Sequence, residues 1–314
     1  MEDDTIIERI TGKKVFKKGK IYLKITTLTR GGIGYEIVSP ENCDYGITDI
    51  ENILNPALIG HSATDQDFID SIISDCGIED TAITMGASVS VGRCAANTLE
   101  LPFFKYIGGA LSTSIPLVIS DILTDGKNSL LILPNSSSIE DVIELYSKII
   151  PKLSEIYGKV DIDGVFHCKN IFAEVDNVKE IITDIGEEED IEIQYGISLG
   201  NDNYSDKING MDYLEHYRPI DFDGMMVIDG LDSGADGSKI DVYSLETITE
   251  LYYYINYILE EDLIPILVGE TTSQAHLSVG FRIPYIRCST ISNILNELWD
   301  IERILINPDN RRRY

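Results

Sequence analysis

Apolar and polar positions change their period along this chain, and each change marks an element. At residues 21–26, Ile21, Leu23 and Ile25 alternate with Tyr22, Lys24 and Thr26, the period of two that a half-buried strand requires. The turn Arg30-Gly31-Gly32-Ile33-Gly34 and a second run at 35–38 complete a predicted β-hairpin over residues 13–40. Those glycines lie between two strands and not between a strand and a helix, so they read as a hairpin turn and not as a phosphate loop.

A period of 3.6 follows. Thr64-Asp65-Gln66-Asp67 opens a helix with Phe68, Ile69, Ile72 and Ile73 on one face, and Gly77 stops it. An Ala- and Ser-rich helix covers about residues 85–98, its small side chains predicting close packing, and Pro102 with Gly108-Gly109 marks a boundary near residue 110. Beyond it, seven short apolar runs (115–120, 130–133, 161–166, 191–197, 225–228, 264–268 and 285–288) alternate with helices near 138–156, 175–184, 244–260 and 291–306. The first of these helices begins at Ser137 or Ser138, with Glu140 and Asp141 placed as in a capping box. Strand–helix alternation predicts an α/β fold, either a parallel sheet or a (β/α) barrel, and seven runs are one short of an eight-fold ring. The expected organisation is a small α+β N-terminal domain over 1–110, then a (β/α) barrel over 111–314 with fewer strands than a full barrel.

Charge narrows the partners. The 314 residues carry 25 basic and 53 acidic side chains, a net charge of −28, which repels phosphate backbones and anionic membranes. Nucleic acid and membrane are therefore not expected. A solubilising surface is the plainer reading of the acidity, and a basic protein is the partner it favours. The acidic start, Glu2-Asp3-Asp4, lacks the pattern of a signal peptide, and five scattered cysteines without a C-x-x-C pair suit free thiols, so a cytoplasmic location is expected. Four histidines without zinc-site spacing give no basis for a histidine metal site.

Three features invite chemistry. Asp229, Asp232 and Asp236 cluster with glycines after a predicted strand. Counted from Asp232, the third and twelfth positions of a calcium loop fall on Gly234 and Tyr243, so a solvated acidic loop competes with a metal site. His167-Cys168 sits at a predicted strand end, where barrels place catalysts, but neighbours on a strand face opposite ways. Tyr252, Tyr253, Tyr254 and Tyr257 form an aromatic stripe on a helix, which reads as packing or as a partner surface.

Several segments, in order, resemble the enolase family. Asn55-Pro56-Ala57-Leu58-Ile59-Gly60 with Asp65-Gln66 resembles its "I-x-P-x-L-I-G … D-Q" stretch, and Leu101-Pro102 through Tyr106-Ile107-Gly108-Gly109 its "P-L-Y-x-Y-I-G-G". Leu131-Ile132-Leu133-Pro134 is similar to "E-F-M-I-L-P", and Gly269-Glu270-Thr271 with Leu277-Ser278-Val279-Gly280 to "S-G-E-T-E-D … L-A-V-G-L". The resemblance runs from about residue 10 to 306 and implies a barrel with its site at the C-terminal strand ends.

Enolase chemistry removes a proton beside a carboxylate and needs three metal-binding carboxylates, a lysine base and an acid. Carried over by motif, one family glutamate falls on Ser129, and the segment bearing the acid falls near 164–173, around His167, without Asp or Glu. A metal aspartate falls in 194–198. Asp229 is the expected heir of the "S-I-E-D-P" glutamate, and the "G-D-D-L" strand has no counterpart. The base position falls on Ser238, one residue before Lys239, and Arg287 replaces a second lysine. Arg287 and Glu270 are expected either to pair inside a vestigial site or to contact an anion. These losses imply an enolase-like protein that no longer dehydrates 2-phosphoglycerate and acts by binding, with no cofactor. The alternative is an active magnesium-dependent carbon–oxygen lyase with relocated residues. The resemblance also implies a homo-oligomer or association with a genuine enolase.

Overall fold

The computed structural model describes residues 4–306, apart from Lys18, Asp163, residues 201–207, Ser233 and Glu270. Three antiparallel strands come first: β1 (Ile7–Lys17), β2 (Lys20–Thr29) and β3 (Ile33–Val38), paired in that order. The predicted hairpin is β2 and β3. β1 escaped the sequence pattern because only Ile7 and Ile10 on it are buried.

Helices α1 (Cys43–Asp49), α2 (Asn55–Leu58), α3 (Gln66–Asp75), α4 (Thr81–Thr98) and α5 (Phe103–Gly108) follow. On α3, Ile69 and Ile73 are buried while Phe68 turns outward. α4 packs on the sheet through its small residues, and the Thr27 and Ser90 hydroxyls meet at 2.6 Å. A Cβ at Gly34 would lie 2.2 Å from the backbone of Ser90 and Cys94. That glycine of the turn thus serves backbone approach.

Eight strands close a ring: β4 (Leu117–Thr124), β5 (Ser129–Asn135), β7 (Glu192–Ser198), β8 (Tyr213–Glu215), β9 (Met225–Asp229), β10 (Gly237–Asp241), β11 (Ile264–Val268) and β12 (Tyr285–Arg287). β12 pairs back to β4, and every pairing is parallel except the two made by β5. The expectation of a barrel short of strands is corrected. The 161–166 run yields only β6 (Phe166–His167), which joins the last two residues of β4 outside the ring, while β8 and β10 complete it.

Outside lie α6 (Ile139–Tyr157), α7 (Ile171–Glu188), α8 (Ile248–Glu260), α9 (Thr272–Gly280) and α10 (Asn293–Ile306). Ser138 caps α6, accepting the Asp141 amide as its sequence predicts. The main apolar core lies between these helices and the strands; Ile119, Leu131, Leu133, Tyr213, Val227 and Ile266 form a second one inside the ring. Among the described residues no helix is long and apolar enough to cross a membrane.

Candidate functional site at the barrel mouth

The inner core fixes which side chains face the lumen above it. Successive strand residues alternate sides, so two positions beyond each apolar inner residue comes the mouth layer. Ile119 leads to Asp121, Tyr213 to Glu215, Val227 to Asp229 and Tyr285 to Arg287. By the strand registers, Lys239 on β10 stands beside Asp229, and Ser198 on β7 beside Glu215. Apolar lower layers and a charged upper one make the site.

These groups form one network. The Arg287 guanidinium donates to both oxygens of Asp121 at 2.8 and 3.0 Å and, through Nη1, to Glu215. Lys239 Nζ lies 3.3 Å from Glu215 and 3.3 Å from Asp229. The Tyr213 hydroxyl donates to Glu215 at 2.9 Å. Burial alone would push the Glu215 carboxyl up. Arg287 and Lys239, aided by hydrogen bonds from Tyr213 and Ser198, outweigh it and hold that carboxyl below its ordinary value. Burial, and then the Glu215 charge, push the Tyr213 hydroxyl well up.

The motif-derived candidates divide. Lys239, Asp229 and Arg287 share the mouth, and Ser129, at the mouth end of β5, is in register with Ser198. The partners of Arg287 are Glu215 and Asp121; Glu270 lies outside the described residues. Lys239 faces the lumen while Ser238 is buried on the other face of its strand. His167 pairs with Asp161 at 2.8 Å on exposed β6, outside the ring. Burial pushes the Cys168 thiol up, away from nucleophile character.

The acidic loop does not converge. Asp232 caps the Gly234 amide at 2.9 Å, and Asp236 accepts from Met226 at the opposite end of β9 from Asp229. Among the described residues no three His, Cys, Asp or Glu side chains are grouped to hold a metal ion.

Sequence reasoning missed Glu215 and Asp121, and reached Ser198 only as the end of the 194–198 window. Asp121 was within reach of the period-two rule, two residues past a buried isoleucine. Glu215 was not, since β8 has only three residues.

A second cluster bridges the N-terminal sheet and the mouth. Glu36 on β3, itself buried, accepts from Tyr243 at 2.9 Å and from the Ser273 hydroxyl, with Arg93 Nε at 3.6 Å. Arg93 also donates to Ser273 at 2.9 Å and to Thr272 at 3.3 Å. Burial, then the Glu36 charge, push the Tyr243 hydroxyl well up. Between the two clusters lies a cavity of about 560 Å³, walled by Tyr22 and Tyr35 on one side and by Val268 and Arg287 on the other.

No family model matches the chain. An uncharacterized protein of Methanocaldococcus jannaschii is 44% identical over 311 residues, covering 98% of this chain and 99% of that protein. The chain belongs to the same family as that archaeal protein. Similarity also reaches enolases: that of Methanococcus vannielii is 30% identical over 132 residues, 36% of this chain and 31% of the enolase. The enolase of Ehrlichia canis is 26% identical over 214 residues, 56% of this chain and 50% of the enolase. The chain is thus enolase-like over part of its length, and it matches a half or less of the length of those enolases.

Proposed function

We propose that this protein is an enolase-like barrel without 2-phosphoglycerate dehydratase activity, acting by binding a small molecule at the barrel mouth. The observation that carries the reading is that both cations of the mouth are paired with its carboxylates. Lys239 sits between Glu215 and Asp229, and Arg287 between Glu215 and Asp121. Lys239 is thereby committed to two ion pairs in the mouth, not presented alone to a substrate carbon. The donor set also fails to fit magnesium: the strand-end oxygen on β7 is the Ser198 hydroxyl, and Glu215, Asp229 and Asp121 are already engaged by cations. No step is assigned to a metal here. Titration calorimetry of the protein with 2-phosphoglycerate and magnesium ions tests the reading; saturable binding of the pair followed by phosphoenolpyruvate formation sinks it.

One observation favours a second reading, a working carbon–oxygen lyase. With β8 in the ring, the second reading assigns Leu214-Glu215 to the "S-I-E-D-P" strand and Val227-Ile228-Asp229-Gly230-Leu231 to "G-D-D-L". Two carboxylates, Glu215 and Asp229, then flank Lys239. Loss of any measured turnover in Lys239→Met supports this alternative; turnover unchanged in that variant removes it.

A further inference from the structure

Among the described residues, six charged side chains line the cavity: Lys17, Glu36, Arg93, Asp121, Asp241 and Arg287. Four of them neutralise each other as Glu36 with Arg93 and Asp121 with Arg287. Among the described residues the remaining two, Lys17 and Asp241, have no ion-pair partner. They carry opposite signs and sit on different elements, Lys17 at the end of β1 and Asp241 at the end of β10. Asp241 spends one oxygen on the Tyr243 amide at 3.0 Å, which holds the carboxylate in place and leaves its other oxygen to a ligand.

The rest of the wall is not built for a phosphorylated three-carbon acid. Val268 ends β11 and Gly269 follows it, Val38 and Ile291 add apolar surface, and Tyr22 and Tyr35 present aromatic rings, the latter with Lys24 Nζ over one face at 3.8 Å. A volume of about 560 Å³ suits a molecule of drug-like size. An acidic protein focuses cations, not anions, into such a cleft.

We infer that the mouth cavity takes a zwitterionic, amino-acid-like ligand with an apolar or aromatic body, its ammonium on Asp241 and its carboxylate on Lys17. The tyrosine rings pack against the body, and an ammonium near a ring face gains further attraction. This rests on the small-molecule reading above and specifies its ligand class.

Calorimetry with four probes tests it: phenylalanine, 3-phenylpropionate, phenethylamine and 2-phosphoglycerate. Phenylalanine is expected to bind at millimolar concentration or below, and the two single-charge analogues to bind about tenfold more weakly, the worth of one charge-assisted contact. In Asp241→Asn, which keeps the acceptor for Tyr243, the advantage of phenylalanine over 3-phenylpropionate disappears. In Lys17→Gln its advantage over phenethylamine disappears. No binding of phenylalanine, equal binding of 3-phenylpropionate, tighter 2-phosphoglycerate, or unchanged ratios in both variants overturns the inference. Failure here without dehydratase turnover leaves the broader reading standing, whereas turnover defeats that reading itself.

Discussion

Arg287 on β12 and Asp121 on β4 meet across the seam where the barrel closes, guanidinium against carboxylate at 2.8 and 3.0 Å. The same guanidinium reaches Glu215 on β8, so one side chain ties three strands around the lumen. Glu215 is fully buried, and removing one member of a buried ionic set strands the others without a counter-charge.

Arg287→Leu is therefore expected to lower unfolding stability by about 3–5 kcal/mol, read as a fall in the urea midpoint. Asp121→Asn, at a more exposed position, is expected to cost less. A midpoint for Arg287→Leu equal to the parent's contradicts the account.

Acid is expected to loosen the fold in two stages. Burial lowers the His276 imidazole, an effect only partly offset by Glu297 at 2.8 Å, so the folded state favours the neutral ring. Its contribution is complete above the free histidine value of about 6.5 and is lost as pH falls through the lower folded value. The Glu215 carboxyl is also held low when folded. Its contribution is complete above the free glutamate value of about 4.3 and disappears below it. From these two groups, melting temperatures should hold between pH 8 and about 6.5 and fall below it, and Glu215→Gln should flatten the limb below about pH 4.3; an acidic limb unchanged in that variant contradicts the Glu215 assignment.

Gly34→Ala is expected to destabilise by about 1–3 kcal/mol, because its methyl group meets the α4 backbone and neither element can give way cheaply. Thermal melts of the variant against the parent decide this.

Thiol chemistry gives a further check. Burial pushes Cys288 up to about 12 and raises Cys94 and Cys168 as well. Native protein at pH 8 should react slowly with Ellman's reagent at these positions, and all five free cysteines should react at once in denaturant. Prompt reaction of native Cys288 contradicts its placement.

The sequence revealed the hairpin of β2 and β3, the small-residue helix α4 and the outer helices, because burial on one face imposes a readable period. β8 and β10 stayed hidden for a physical reason. A strand that ends in the mouth spends its lumen-facing positions on charge: Lys239 interrupts Gly237–Asp241, and Glu215 ends a strand of three residues. Neither shows an apolar run, so the strand count fell short. The 161–166 run erred the other way, apolar enough to suggest a barrel strand but pairing only through Phe166 and His167.

Dehydration of 2-phosphoglycerate in the presence of magnesium ions, followed at the absorbance of phosphoenolpyruvate, tests the central claim most directly. With Lys239 and Arg287 both neutralised inside the mouth, the purified protein should give no more turnover than its Lys239→Met variant. Magnesium-dependent turnover that vanishes in that variant contradicts the account.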